Sequence, residues 1–166
     1  MKLSISFIRH DRADIKTQLE LLKPSFNGLD NPKAEFQNLI DDVMTNRAGL
    51  YHIKGKGVNL RFVGMDLGDG VYFVSALTGK GFAHGLPYFI DLVTSRGFTT
   101  LKGQAVRRGM VRQYERAGFT ALERNGITEL TLSLGVTMGG GSSSANNTNT
   151  TNVSGQSAIH GDNLAW

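Results

Sequence analysis

Cysteine is absent from this chain of 166 residues, which excludes disulfides, thiolate metal sites and cysteine nucleophiles. Long apolar runs are absent too, because no stretch reaches the ~20 residues that a membrane-spanning helix needs. The apolar part of the N-terminus is too short for a signal peptide. The four histidines, at positions 10, 52, 84 and 160, are scattered without metal-ligand spacing, so we expect no metal site. The absence of cysteine leaves the redox compartment undetermined, and the lack of a membrane-spanning run or signal peptide favours a soluble intracellular protein.

Charge is nearly absent from the last part of the chain. Beyond Leu134 the only Asp, Glu, Lys or Arg is Asp162, so the part up to Leu134 holds all 18 basic and all but one of the 14 acidic residues. Residues 138–153 are a low-complexity run of Gly, Ser, Asn and Thr, which we expect to be disordered in isolation because it cannot build a core. We therefore predict a folded domain over residues 1–134 and an extended tail over residues 135–166.

The tip of this tail carries three apolar residues, Ile159, Leu164 and Trp166. Apolar anchors at the end of a flexible polar stem are typical of docking peptides. We therefore predict that the tail binds other protein subunits in an oligomeric assembly.

The predicted domain alternates between the periodicities of strands and helices. Apolar side chains at every second position predict strands, and apolar side chains at helical spacing predict helices. The predicted strands are 2–9, 50–54, 58–66, 71–77, 99–106 and 127–134. One predicted helix carries Ile15, Leu19 and Leu22. Three more span 34–47, the residues up to Arg96, and 108–117. This order predicts an α/β fold with a mixed central sheet flanked by helices.

A glycine-rich turn, Thr78-Gly-Lys-Gly-Phe-Ala83, joins a predicted strand to a predicted helix. Free backbone N–H groups at a helix N-terminus bind phosphates, and glycine lets a ligand approach the backbone closely. The small positive net charge of the chain suits an anionic cofactor. The plainer alternative is a tight strand-to-helix turn that binds nothing.

A second motif, Tyr114-Glu-Arg-Ala-Gly-Phe119, follows later in the chain. With the element order, these two stretches resemble the GNAT superfamily of acyl-CoA N-acyltransferases, whose phosphate turn reads Arg/Gln-x-x-Gly-x-Gly/Ala. The resemblance implies a mixed GNAT-like sheet. It also implies that the backbone of the turn binds the CoA pyrophosphate, through Gly79, Lys80, Gly81, Phe82 and Ala83.

The resemblance also implies that Tyr114 protonates the departing CoA thiolate, although a core tyrosine fits the same helical position. Two family positions differ here, since Thr78 replaces the leading Arg or Gln and Arg107 falls where the family has Asn. The predicted strand 71–77 offers no carboxylate to act as a base. Asp66, beside a turn, is the only candidate base.

The missing base and the docking tail favour a structural or interaction protein over an enzyme. We interpret the chain as a component of a phage particle with a GNAT-like fold. It would need no cofactor and would reside in the virion after assembly in the host cytoplasm. The alternative is a cytoplasmic acetyl-CoA-dependent N-acetyltransferase, with Tyr114 as acid and a base relayed through water.

Arg108, Arg112 and Arg116 recur every four residues and form a basic stripe on one helix. The stripe fits a solvated face, a site for the CoA 3′-phosphate, or a site for an acidic protein partner. A nucleic-acid-binding module is a weaker third hypothesis for the whole chain.

Overall fold

The computed structural model describes residues 2–134. A short 3₁₀ turn, Lys23–Phe26, lies between the first two helices. The strands are β1 Ser4–Ile8, β2 Gly49–Gly55, β3 Val58–Gly68, β4 Val71–Lys80, β5 Thr100–Ala105, β6 Thr120–Arg124 and β7 Ile127–Ser133. The helices are α1 Ile15–Glu20, α2 Pro32–Met44, α3 Phe82–Ser95 and α4 Arg108–Arg116. The predicted element order is confirmed, with β6 added.

The strands form one seven-stranded sheet in the order β1-β2-β3-β4-β5-β7-β6. Every neighbouring pair is antiparallel except β4 and β5, which run parallel. A parallel pair needs a crossover connection, and α3 provides it. The predicted mixed α/β sheet is therefore confirmed.

Helices cover both faces of the sheet. On one face, α1 and α2 pack apolar side chains such as Leu19 and Leu39 against Leu50 and Val63. On the other face, α3 and α4 pack against a second group of strand residues that includes Phe62. Each large side chain buried in this way stabilises the fold by about 1.5–3 kcal/mol.

Periodicity does not predict strand β6, because this strand has no buried face. All five of its residues are exposed, and Leu122 keeps 53% of its surface. Within the part of the chain that the structure describes, the strand lies at the sheet edge and pairs with β7 alone. Asn125 and Gly126 join the two strands with φ angles of 52° and 81°. An Asn-Gly pair between strands is a strong hairpin signal, and it could have identified β6.

Strands β4 and β5 separate partway along their length. Their pairing runs only from Val71 with Thr100 to Val74 with Gly103. Immediately after this, Ser75 forms a bulge in β4, because Val74 and Ala76 pair with consecutive residues of β3. A bulge bends its strand and increases the local twist. The sheet therefore has a V-shaped opening between β4 and β5, with its apex at Val74 and Gly103.

Within residues 2–134, no helix has both the length and the apolar character that crossing a bilayer requires. The predicted tail, 135–166, lies outside the described residues. Its proposed docking tip, Ile159, Leu164 and Trp166, therefore stays a prediction.

Candidate functional site

The V-shaped opening contains a cleft of about 60 Å³. One wall is β4, from Val74 to Leu77, and the opposite wall is the end of β5 with the following loop, 104–107. A third side is lined by residues of the 3₁₀ turn and the loop after it: Ser25, Phe26, Asn27 and Leu29. The cleft therefore lies where the two central strands no longer share hydrogen bonds.

The free side of β4 offers backbone groups to a ligand. Beyond Val74, β4 still pairs with β3 as far as Lys80, but no strand among the described residues pairs with it on the β5 side. Alternate N–H and C=O groups of a strand point to opposite neighbours. Those that face the opening can bind an extended, amide-containing ligand as an added strand would bind.

The glycines of the predicted turn are required by the packing of β4 and α3 on β3. Gly79 and Gly81 have φ angles of 125° and 84°, in the region that favours glycine. A Cβ on Gly79 would overlap the carbonyl oxygen of Asn59, and a Cβ on Gly81 would overlap that of Gly57. The two glycines are therefore explained by close backbone approach, whatever ligand the turn binds.

The N-terminus of α3 nevertheless offers unpaired donors. The first N–H groups that bond within the helix are those of His84 and Gly85, which both donate to the Gly81 carbonyl at 3.1 and 2.8 Å. The N–H groups of Phe82 and Ala83 precede them and have no backbone acceptor among the described residues. Such donors, at the positive end of the helix dipole, favour an anion.

A larger cavity, of about 610 Å³, lies beside this turn. Four of the five residues predicted to bind the cofactor line it: Gly79, Lys80, Gly81 and Phe82. Ala83 does not. The cavity and the cleft share Leu77, Arg107 and Met110, so the two spaces adjoin, and together we call them the passage from the turn to the V-shaped opening. We call the larger cavity the mouth of this passage.

Positive charge surrounds the mouth. Arg61, Lys80 and Arg107 line it, and none of the described residues that line it is an Asp, Glu or His. Arg61 is held in place, because its Nε donates to Gln18 Oε1 at 2.8 Å and its Nη1 donates to Asn59 Oδ1 at 3.3 Å. Burial, followed by repulsion from Arg12, lowers the pKa of Arg61, but an arginine remains charged at neutral pH.

Tyr114 lies at the apex of the opening. Its ring packs edge-on between Phe82 and Phe119, with centroid distances of 4.9 and 5.0 Å. A Cβ added to Gly103 would lie 3.4 Å from the Tyr114 hydroxyl, so this hydroxyl lies over the last residue of β5 that pairs with β4. Burial raises the pKa of Tyr114 and keeps its hydroxyl protonated. Tyr114 is thus both a core residue and part of the cleft lining.

The candidate base lies elsewhere. The Asp66 carboxylate accepts a hydrogen bond of 2.8 Å from the Gly68 N–H, near the β3–β4 hairpin, and Asp66 lines neither space. No Asp, Glu or His is among the described residues that line the cleft. Over residues 2–134, no cluster of such side chains is arranged to bind a metal ion.

The two departures from the family motif have different surroundings. The Thr78 hydroxyl donates to the Leu21 carbonyl at 2.9 Å and ties the end of α1 to β4. Arg107 precedes the first residue of α4 and lines both the cleft and the mouth. Arg108, Arg112 and Arg116 are exposed and line neither space.

The sequence did not indicate Arg61 or Arg107 as charges at the mouth. Arg61 is on β3, remote in the chain from both motifs, and carries no local signal. Arg107 could have been found from its position before a helix that follows a strand next to the opening. That inference needs the separation of β4 and β5, which only the sheet register reveals.

A central sheet split between two parallel strands, with a glycine turn opening the crossover helix, defines the class of fold. The chain has the GNAT acetyltransferase fold. A GNAT family acetyltransferase from Elizabethkingia anophelis with acetyl-CoA bound is 15% identical, with a TM-score of 0.55 over 80% of this chain and 98% of that one. An acetyltransferase from Bacillus subtilis in complex with CoA is 15% identical, with a TM-score of 0.56 over 80% and 99%.

A third structure, the PaiA N-acetyltransferase from Thermoplasma acidophilum in complex with coenzyme A, is 11% identical, with a TM-score of 0.56 over 80% and 99%. No family model and no curated protein sequence matches the chain. The interpretation of the chain as a structural component of a phage particle is contradicted, because the proteins that share its fold are acetyltransferases, several of them with CoA or acetyl-CoA bound. The expectation that no cofactor is needed has no support either.

Proposed function

We propose that the chain is an acetyl-CoA-dependent N-acetyltransferase. The observation that carries this proposal is the pair of adjoining spaces, one at the glycine turn and one lined by Tyr114, at the point where β4 and β5 separate. The solved structures of the same fold with CoA or acetyl-CoA bound support it. Acetyl-CoA supplies an acyl thioester, which an amine can attack.

The residues of the passage fit a long ligand with phosphates at one end. The N–H groups of Phe82 and Ala83, with the Lys80 ammonium beside them, would hold the phosphates. The open side of β4 would hold an amide-containing arm, because an extended chain can pair with a strand edge. The apolar side chains of Leu77 and Met110 line the part of the passage that joins the two spaces.

Tyr114 provides the acid. Like any phenol, its hydroxyl is protonated at neutral pH, so it can donate a hydrogen bond and then a proton to the departing sulfur and recover one from solvent. Burial raises its pKa and makes it a weaker acid than an exposed tyrosine. With no carboxylate or imidazole among the described residues of the cleft lining, the proton of the attacking amine passes to water.

Calorimetry with acetyl-CoA tests the proposal. We expect micromolar binding, and we expect Lys80→Glu to weaken it roughly tenfold or more because the change replaces a cation beside the phosphates with an anion. Lys33→Glu is the matched control, since Lys33 is an exposed residue of α2, whose apolar residues belong to the core on the opposite face from α3. No binding at about 1 mM acetyl-CoA would eliminate the proposal.

Turnover can be followed without background. Because the chain contains no cysteine, a thiol-specific reagent reports only the CoA that is released. Release of CoA that depends on an added amine is the expected result. Equal release with and without amine would show hydrolysis rather than transfer.

A further inference from the structure

We propose that the amine acceptor is a weakly basic amine, with a substantial uncharged fraction near neutral pH, on a molecule that carries an anionic group, and that Arg107 binds this anionic group. This inference rests on the proposed function and names its acceptor. It follows from the charges of the passage and from the groups that the cleft does not offer.

The passage carries positive charge only. Arg107 is the single charged residue among the described residues that line the cleft, and Arg61 and Lys80 join it at the mouth. A polyamine or a lysine side chain in the cleft would meet Arg107 and no carboxylate among the described lining residues, whereas the proposed function pairs Lys80 with the phosphates of the cofactor. An acceptor with a carboxylate or phosphate group finds a partner instead.

The described residues of the cleft lining also include no group that could deprotonate a strongly basic amine. A lysine amine has a pKa of about 10.4, so roughly one molecule in a thousand is neutral near pH 7.5. An α-amine has a pKa of about 7.7–8.0, so roughly a third is neutral at the same pH. The difference in reactive amine is roughly 200-fold. A cleft without a base therefore favours the second kind of acceptor.

Arg107 is placed to hold the anionic group. It has an extended backbone conformation just before α4 and an exposed side chain, and it lines both the cleft and the mouth. Within residues 2–134, its guanidinium forms no ion pair or hydrogen bond with another side chain. Asn27 and Gln104 line the same cleft and add uncharged hydrogen-bonding groups.

The transfer step balances with these groups. The amine nitrogen forms a bond to the thioester carbonyl carbon, the carbon–sulfur bond breaks, and the sulfur keeps the electron pair and takes the Tyr114 proton. The nitrogen loses its proton to water, and Tyr114 regains one from solvent. The products are an amide and free CoA thiol.

The first experiment compares acceptors at saturating acetyl-CoA by thiol release. The probes are an acidic peptide with a free α-amine, the same peptide with a blocked α-amine and one lysine, spermidine, and para-aminobenzoate, an aromatic amine with a carboxylate. We expect kcat/KM for the acidic α-amine or for para-aminobenzoate to exceed that of the two basic amines by roughly 100-fold or more. Preference for the peptide would show that the acceptor is the amino end of a peptide. Preference for para-aminobenzoate would show that the acceptor is a small molecule. Equal or faster acetylation of the lysine peptide or spermidine would overturn the inference.

The second experiment tests Arg107 with peptides of equal length, one acidic and one uncharged. We expect Arg107→Gln to raise KM for the acidic peptide roughly tenfold and to leave KM for the uncharged peptide unchanged, with partial rescue by Arg107→Lys. Arg108→Gln is the matched control, because Arg108 is adjacent but lines neither space. Equal changes for both peptides would overturn the role of Arg107.

Acetyl-CoA binding distinguishes a failure of the proposed function from a failure of the inference about the acceptor. A wild-type protein that does not bind acetyl-CoA overturns the proposed function itself. A protein that binds acetyl-CoA but acetylates neither anionic acceptor overturns only the inference about the acceptor.

Discussion

Gly79 lies where β4 passes closest to β3, and Gly79→Ala tests whether packing alone requires a glycine there. The φ angle of 125° is strained for alanine, which costs about 1–3 kcal/mol. The new Cβ would also overlap the Asn59 carbonyl oxygen and lie 2.9 Å from the Leu60 Cα. Both are backbone atoms of β3, which cannot rotate away, so overpacking adds about 1–3 kcal/mol. We therefore expect a loss of about 2–6 kcal/mol in the free energy of unfolding, or about 6–18 °C in Tm.

Gly57→Ala provides the matched control in the same assay, thermal unfolding followed by circular dichroism. Gly57 also has a positive φ, of 79°, but a Cβ there would meet no atom within 4 Å. It should therefore lose only the conformational part, about 1–2 kcal/mol. If the two variants melt within about 2 °C of each other, the close approach of β3 is not what requires glycine at position 79.

Three further predictions concern Tyr114, Tyr72 and Thr78. Tyr114→Phe should lower kcat roughly 10²–10⁴-fold at unchanged acetyl-CoA affinity. The control is Tyr72→Phe, which removes a buried hydroxyl with no hydrogen-bond partner among the described residues and should retain kcat. Equal losses of kcat in the two variants would show that Tyr114 is not the acid. Burial raises the pKa of both tyrosines above the ordinary 10.0, so their contribution to stability is complete below about pH 10 and falls at higher pH as the unfolded chain loses protons first. Urea unfolding at about pH 8 and 11 should show a smaller alkaline loss in Tyr72→Phe, and an undiminished loss would refute this. Thr78→Val should lose about 0.5–1.5 kcal/mol with the hydrogen bond to Leu21, whereas Thr78→Ser should retain it in the same urea experiment.

Periodicity in the sequence predicted the strands and helices that have one buried face. Residues 34–47 place Phe36, Leu39 and Val43 on one side, and these three are buried in α2. The exposed strand β6 could not be found in this way, because no apolar alternation marks a strand without a buried face. The helices and strands that were predicted are therefore those with one buried face, because that face produces a periodic pattern of apolar residues in the sequence.

The site was predictable only in parts, because its shape depends on register. The sequence indicated Lys80 and Tyr114, on two elements that α3 and β5 separate in the chain. Nothing local predicts that β4 and β5 stop pairing after Val74, since that depends on the Ser75 bulge and on which strand lies opposite. Arg61 reaches the mouth from a third element, where only the sheet order places it next to Thr78.

The lack of a base among the described residues of the cleft lining is interpreted together with the charges of the passage. A base in the cleft is needed only for an amine that arrives protonated, so under the proposed function the lining described here fits an amine that arrives neutral. Thr78 replaces the family's Arg or Gln, yet the mouth still carries Arg61, Lys80 and Arg107. Among the described residues, these cations are unopposed by any carboxylate of the lining. If the chain is the proposed transferase, its departures from the family motif therefore indicate a different acceptor, which the comparison of acidic and basic amines tests.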